Sequence, residues 1–103
     1  MNKHARKERY EEMYDAILSL QSKEECLKFF TDLCSVSELL AMEQRYQVAS
    51  CLDDGMIYND ILELTGASSA TISRVNRSLS EDYDSCGGYA LVFERMEEKN
   101  DGQ

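Results

Sequence analysis

The sequence predicts an all-α fold, and three observations carry that expectation. None of the 103 residues is proline. Apolar side chains recur at i, i+3 and i+4 through most of the chain, the period of one helix face. Two capping boxes, Ser22 with Glu25 and Ser35 with Glu38, mark helix starts. In such a box the serine oxygen and the glutamate carboxylate satisfy amides that the first helical turn leaves without partners.

A first amphipathic helix is expected over residues 5–20, with Tyr10, Met13, Tyr14, Ile17 and Leu18 along one side. Lys3, Arg6, Lys7 and Arg9 cluster at its start. They read as a solvated terminus, with an arm touching phosphate as the functional alternative. His4, the single histidine, has no assigned role. The second helix, about 23–34, carries Cys26, Leu27, Phe29, Phe30, Leu33 and Cys34, which cover more than one face. One neighbour cannot bury so wide a surface. In a chain this short a second copy is the simplest source of the missing cover, which predicts a homodimer. A third helix runs from the Ser35 cap to about Asp53, with Leu39, Met42, Tyr46, Ala49 and Leu52 as its stripe and Gly55 at its end.

Residues 58–79, YNDILELTGASSATISRVNRSL, have the layout of a helix-turn-helix. Tyr58, Ile61, Leu62 and Leu64 can share one side of a short helix. Gly66 stops it, since glycine tolerates the left-handed backbone of such a turn. Ser68 is placed to cap the second helix by accepting from the amide of Ala70 or Thr71. Ile72, Val75 and Leu79 form the buried stripe of that helix. Ser69, Ala70, Ser73, Asn76 and Arg77 lie opposite, with Thr71 and Arg74 at the edges. That face is small, polar and basic, suited to close approach to a phosphate-lined groove. Leu62 departs from the pattern, because a smaller residue usually sits where the two helices come closest. The bland alternative is an ordinary helical hairpin inside another all-helical domain.

Beyond Leu79, SEDYDSCGG is turn-like with Gly87–Gly88 as a breaker. Tyr89, Val92, Phe93 and Met96 suit a final helix, and EEKNDGQ, about 97–103, reads as a disordered polar tail.

Length and composition fit one domain, residues 1–103, with 43% hydrophobic and 30% charged residues. No apolar run approaches the ~20 residues of a membrane span, and MNKHARKERY lacks the apolar segment of a signal peptide. Cys26, Cys34, Cys51 and Cys86 have no CxxC spacing and read as reduced core residues, which places the chain in cytoplasm. No histidine accompanies a nucleophile, no glycine-rich phosphate loop occurs, and no metal-ligand spacing is present, so neither an enzyme nor a metal site is expected.

The net charge of −9 runs against DNA binding, since most small DNA-binding domains are basic. The charge is uneven, however. Residues 1–10 carry four Lys/Arg against one Glu, and residues 81–103 carry seven Asp/Glu against two Lys/Arg. Within the motif, Asp60 and Glu63 balance Arg74 and Arg77. At a Debye length of ~8–10 Å the local field outweighs the total.

TGASSATISRVNRSL, with RYQVASCLDDG before it, resembles the Trp repressor superfamily. With FFTDLCSVSEL upstream and GGYALVFERM downstream, nearly the whole chain is similar to the YerC/YecD group of Trp-repressor-related proteins. The resemblance implies a Trp-repressor-like helical domain, an intertwined homodimer and a bacterial transcription regulator. It also matches Arg45 and Arg74 to the two arginines that flank the repressor's corepressor, and an arginine pair can clamp a planar carboxylate ligand. Val75 stands where the repressor has a glycine beside that ligand, and the link from Gly55 to Gly66 is one residue shorter. A valine there fills room that an indole needs, so no cofactor is expected, with a tryptophan-like corepressor at Arg45 and Arg74 as the alternative.

The expected function is a DNA-binding transcriptional regulator, a repressor, acting as a homodimer on double-stranded DNA, with no membrane partner. Its contact set is Ser68, Ser69, Ala70, Thr71, Ser73, Arg74, Asn76 and Arg77, with Arg45 and Arg74 as the ligand pair. The alternative is a helical protein-interaction module that keeps the fold and binds no specific DNA.

Overall fold

The computed structural model describes residues 3–80 and 86–101, with side chains from Tyr10 onward. Among these residues are six α-helices and no strand: α1 (Lys3–Leu18), α2 (Lys23–Leu33), α3 (Val36–Asp53), α4 (Tyr58–Thr65), α5 (Ser69–Leu79) and α6 (Gly88–Asp101). The all-α expectation holds. The side chains of the basic cluster Lys3, Arg6, Lys7 and Arg9, most of the turn-like stretch after Ser80, and the last two residues of the expected tail lie outside the described residues.

Local chemistry sets the helix ends. The Ser19 amide is shared between the carbonyls of Asp15 and Ala16, and the Leu20 amide donates to Ile17 O. This tightened turn ends α1 at Leu18, two residues short of the sequence expectation. The Ser35–Glu38 box is complete: the Ser35 amide donates to Glu38 Oε1 at 2.7 Å and the Glu38 amide to Ser35 Oγ at 3.2 Å. At α2 the Glu25 amide donates to Ser22 Oγ, but the Glu25 carboxylate accepts from Gln21, one residue before the cap. Gly55, at φ 85°, ends α3. There Met56 N–H donates to Cys51 O and Gly55 N–H to Leu52 O, the pair of bonds of a Schellman motif.

The chain forms two compact units, Met1–Leu39 and Leu40–Gln103. In the first, no described side chain is buried. Met13, Ile17, Phe29, Phe30 and Leu39 are half-buried, and the rings of Phe29 and Phe30 meet edge to face at 5.6 Å. Tyr10, Tyr14, Leu18, Leu27, Leu33 and Val36 are exposed, Leu18 at 81%.

The second unit holds the core. Val48, Ala49 and Cys51 of α3, Ile61 of α4, Ala67 of the connecting turn, and Ile72 and Val75 of α5 are buried together. Leu52, Met56, Leu79, Tyr89 and Phe93 pack around them. Burying an aliphatic side chain fully contributes about 1.5–3 kcal/mol, so Ile61, Ile72 and Val48 carry much of this unit's stability. The Phe93 ring of α6 stacks on Tyr89 at 6.1 Å and meets Tyr46 of α3 at 5.8 Å.

Several details correct the sequence reading. The stripe of α3 does not run straight through Met42 and Tyr46, which are exposed. Ala49 is buried and Leu52 packs against the core as that stripe expects, but Val48 and Cys51 are buried beside them, because the core covers the C-terminal turns of this helix. On α4, Ile61 alone is buried, while Leu62 and Leu64 are exposed. A helix of eight residues presents little more than one inward position, and Leu62 is 40% exposed. Finally, α6 continues through Glu97 to Asp101, into the stretch expected as a polar tail. No glycine interrupts it before Gly102, and Lys99 in its last turn complements the helix dipole. All four cysteines are thiols, of which Cys51 is buried in the core, Cys34 is half-buried, and Cys26 and Cys86 are exposed rather than core residues; no described helix is long and apolar enough to cross a membrane.

Two predictions follow from these ends. The Ser35 amide, and then its hydroxyl, hold the exposed Glu38 carboxyl below its ordinary 4.5. A depressed folded-state value stabilises above 4.5 and is lost as pH falls through the lower value. The stability gap between the protein and its Glu38→Gln variant should therefore shrink from neutral to acid pH. Denaturant midpoints at each pH check this, and a constant gap contradicts it. Gly66 has φ 72°, with open space where a Cβ would stand. Gly66→Ala should thus cost only the left-handed strain, about 1–2 kcal/mol, in the same measurement.

Candidate nucleic-acid interface

The turn between α4 and α5 is built from three adjacent devices. Gly66 takes the left-handed conformation, φ 72° and ψ 5°, and its amide donates to Leu62 O. Thr65 turns its hydroxyl back onto the helix, donating to Ile61 O at 2.8 Å and accepting from the Ala67 amide at 3.1 Å. Ala67 is then 1% exposed, an anchor that pins the turn to the core. Ser68, extended at φ −70° and ψ 158°, caps α5 by accepting from the Thr71 amide at 3.1 Å. Of the two amides that the sequence allowed, Thr71 is the one used.

Burial then fixes the rotation of α5. Ile72 and Val75 are inside and Leu79 half-buried, so the other side must face outward. Ala70, Ser73, Arg74 and Arg77 follow the i, i+3, i+4, i+7 spacing and make one face. Ala70, Arg74 and Arg77 are exposed, and Ser73 is half-buried. Ser69 and Asn76, both exposed, flank that face on one side, and the half-buried Thr71 flanks it on the other. Seven of the eight expected contact residues therefore present a polar atom, a methyl or a guanidinium on or beside one strip of α5. Ser68 is the eighth and differs. Its hydroxyl donates to Thr71 Oγ1 at 3.1 Å while accepting from the Thr71 amide, so its hydrogen is committed to the cap. Thr71 keeps its own hydroxyl hydrogen to donate elsewhere.

The electrostatics of the strip are simple. Arg74 and Arg77 make no ion pair among the described residues, where Lys28 and Glu24 of α2 are bridged at 3.7 Å. The acids of α4, Asp60 and Glu63, are exposed and pair with neither guanidinium. Ser78, outside the expected set, turns its hydroxyl back to Arg74 O at 3.4 Å. Arg45, on α3, is exposed as Arg74 is. Val75 is 2% exposed and packs with Ile61 and Ile72, so its side chain is committed to the core.

Sequence reasoning missed Thr65 and Gln44. Gln44, half-buried on α3, donates from Nε2 to Thr65 O at 3.2 Å. A threonine just before the corner glycine was a local signal for Thr65. Gln44 had none, because its partner lies 21 residues away in the chain.

Comparison with known proteins places this arrangement. Residues 8–97 match the family model described as Trp repressor protein. The chain is 42% identical over 88 residues to the uncharacterized protein YerC of Bacillus subtilis (strain 168), covering 85% of this chain and 82% of that one. A TrpR-like protein from Eubacterium eligens ATCC 27750 superposes with a TM-score of 0.82 at 45% identity, over 92% of this chain and 95% of the other. A candidate Trp repressor from Staphylococcus aureus gives 0.80 at 44% identity, over 86% of each chain. With nearly its full length matched in sequence and in fold, the chain belongs to the Trp repressor family, in its YerC/YecD group.

Proposed function

We propose that this protein is a sequence-specific DNA-binding regulator of transcription, a cytoplasmic repressor that acts as a homodimer through α4 and α5. The observation that carries the reading is the outward strip of α5: small side chains at its N-terminal end, two arginines further along with no ion pair among the described residues, and a buried stripe behind. In dimeric helix-turn-helix proteins the N-terminal residues of the second helix meet base edges in the major groove. Ser69, Ala70 and Thr71 occupy those positions here. They are too short for the bidentate guanine contacts of arginine, so readout rests on close backbone approach, the Thr71 hydroxyl, methyl contacts and bridging water. Water-mediated readout by the Trp repressor is a known precedent for this mode. Ser73, Arg74 and Arg77 would contact phosphates and set register, with Asn76 beside them.

The homodimer is supported by the apolar side chains that one copy leaves uncovered, Tyr10, Tyr14, Leu18, Leu27, Leu33 and Val36 among them. A second copy related by a two-fold axis would cover like with like and set two recognition helices about one turn of DNA apart. The likeness to the S. aureus protein, a candidate Trp repressor, supports the DNA-binding reading. A tryptophan-like corepressor is not part of the proposal. The net charge of −9 favours a second reading, a helical module that keeps the fold and binds a protein partner.

Two substitutions separate the roles within α5. Arg77→Ala should weaken binding to every duplex and lower the salt slope by ~0.9–1.8 units in a two-copy complex. An unchanged slope removes Arg77 from the interface. Thr71→Ala should change the ranking among duplex sequences, measured by competition at fixed salt. An equal loss on all of them shows that Thr71 reads no base.

A further inference from the structure

The corner between α4 and α5 is braced from outside the helix-turn-helix. Thr65 is the last residue of α4, and its carbonyl is among those that a helix end leaves without an intrahelical partner. Gln44 Nε2 of α3 fills that role at 3.2 Å. The carbonyl belongs to the planar 65–66 peptide, so holding its oxygen fixes ψ of Thr65 and φ of Gly66 together. Those two angles, the second at a glycine with no side chain to restrain it, help set the direction in which α5 leaves α4. Further bonds carry the restraint into α5: the Ala67 amide donates to Thr65 Oγ1, and next to it Ser68 accepts from the Thr71 amide.

We propose that Gln44 is a positioning residue that sets the angle of α5 and thereby governs discrimination among DNA sequences rather than grip on the backbone. The inference rests on the DNA-binding reading above. Its logic is a difference in tolerance. Ser69, Ala70 and Thr71 are short, so a small tilt of α5 takes them out of reach of base edges. Arg74 and Arg77 have long flexible stems and follow phosphates through the same tilt. Loss of the brace therefore lowers affinity for a preferred duplex while leaving non-specific affinity nearly intact.

The test uses the full chain with two variants. Gln44→Met keeps the length of the side chain and has no donor, and Gln44→Glu keeps the shape with acceptors only. The neutral Met variant excludes repulsion of DNA by an added charge. Amide hydrogen exchange is measured without DNA. Affinity is measured for the duplex that wild-type protein prefers and for an unrelated duplex. Both variants should speed exchange at the Ala67 and Thr71 amides while leaving Val48 in the core unchanged. For Gln44→Met the ratio of preferred to unrelated affinity should fall on the order of fivefold, the worth of one ordinary hydrogen bond, at an unchanged salt slope. Unaltered exchange at Ala67 and Thr71, or an equal loss on both duplexes, overturns the proposal. Wild-type protein that prefers no duplex overturns the DNA-binding reading and this role with it, while the exchange rates still report whether Gln44 braces the corner.

Discussion

Burial of Ile72 and Val75 against Ile61, Val48 and Ala49 is the constraint from which the other features of the second unit follow. It decides which side of α5 faces in, and so which side is left for anything else to touch. Protein interiors are close-packed, and a rotated α5 would leave a cavity where these side chains now interlock. Gly66, Thr65 and Ala67 make the turn that permits this packing. The exposed strip is thus a by-product of the core, held by apolar contacts on its far side and by capping at its start.

The two units divide the physical work differently. The second buries a compact apolar set of its own. The first, with α1 and α2, buries no described side chain and displays leucines and tyrosines. A small chain must bury most of its apolar surface to outweigh the entropy of ordering it. The imbalance is the physical argument for a second copy, and it is separate from the argument for DNA. The same separation applies to charge. An acidic total weakens long-range attraction to nucleic acid, yet screening confines that effect to about a Debye length, and Arg74 and Arg77 are free of acidic partners among the described residues. Such a balance suits a protein that ignores most DNA more than one that coats it.

Much of the fold was legible because its signals are local. Both capping serines, the left-handed Gly66 and Gly55, and the Ile72–Val75 stripe could be read from neighbouring residues. The failures share a cause in tertiary context. Met42 and Tyr46 satisfy helical periodicity on α3, but which turns of a helix are covered depends on elements far along the chain. Leu62 lies beside the true anchor, Ile61, and no local rule ranks the two on so short a helix. The polar 97–101 segment remains helical because polarity alone does not break a helix that has already started. At the candidate interface the exposed strip was legible from the period of α5, whereas the Gln44 brace spans two elements and left no pattern to read.

The most direct test of this account is selection of bound duplexes from a random DNA pool at stated salt, with and without tryptophan. The account predicts one enriched pseudo-palindromic site, its half-sites about 10–10.5 base pairs apart, recovered equally in both conditions. A pool that emerges without any enriched sequence, although the protein is folded, would contradict it.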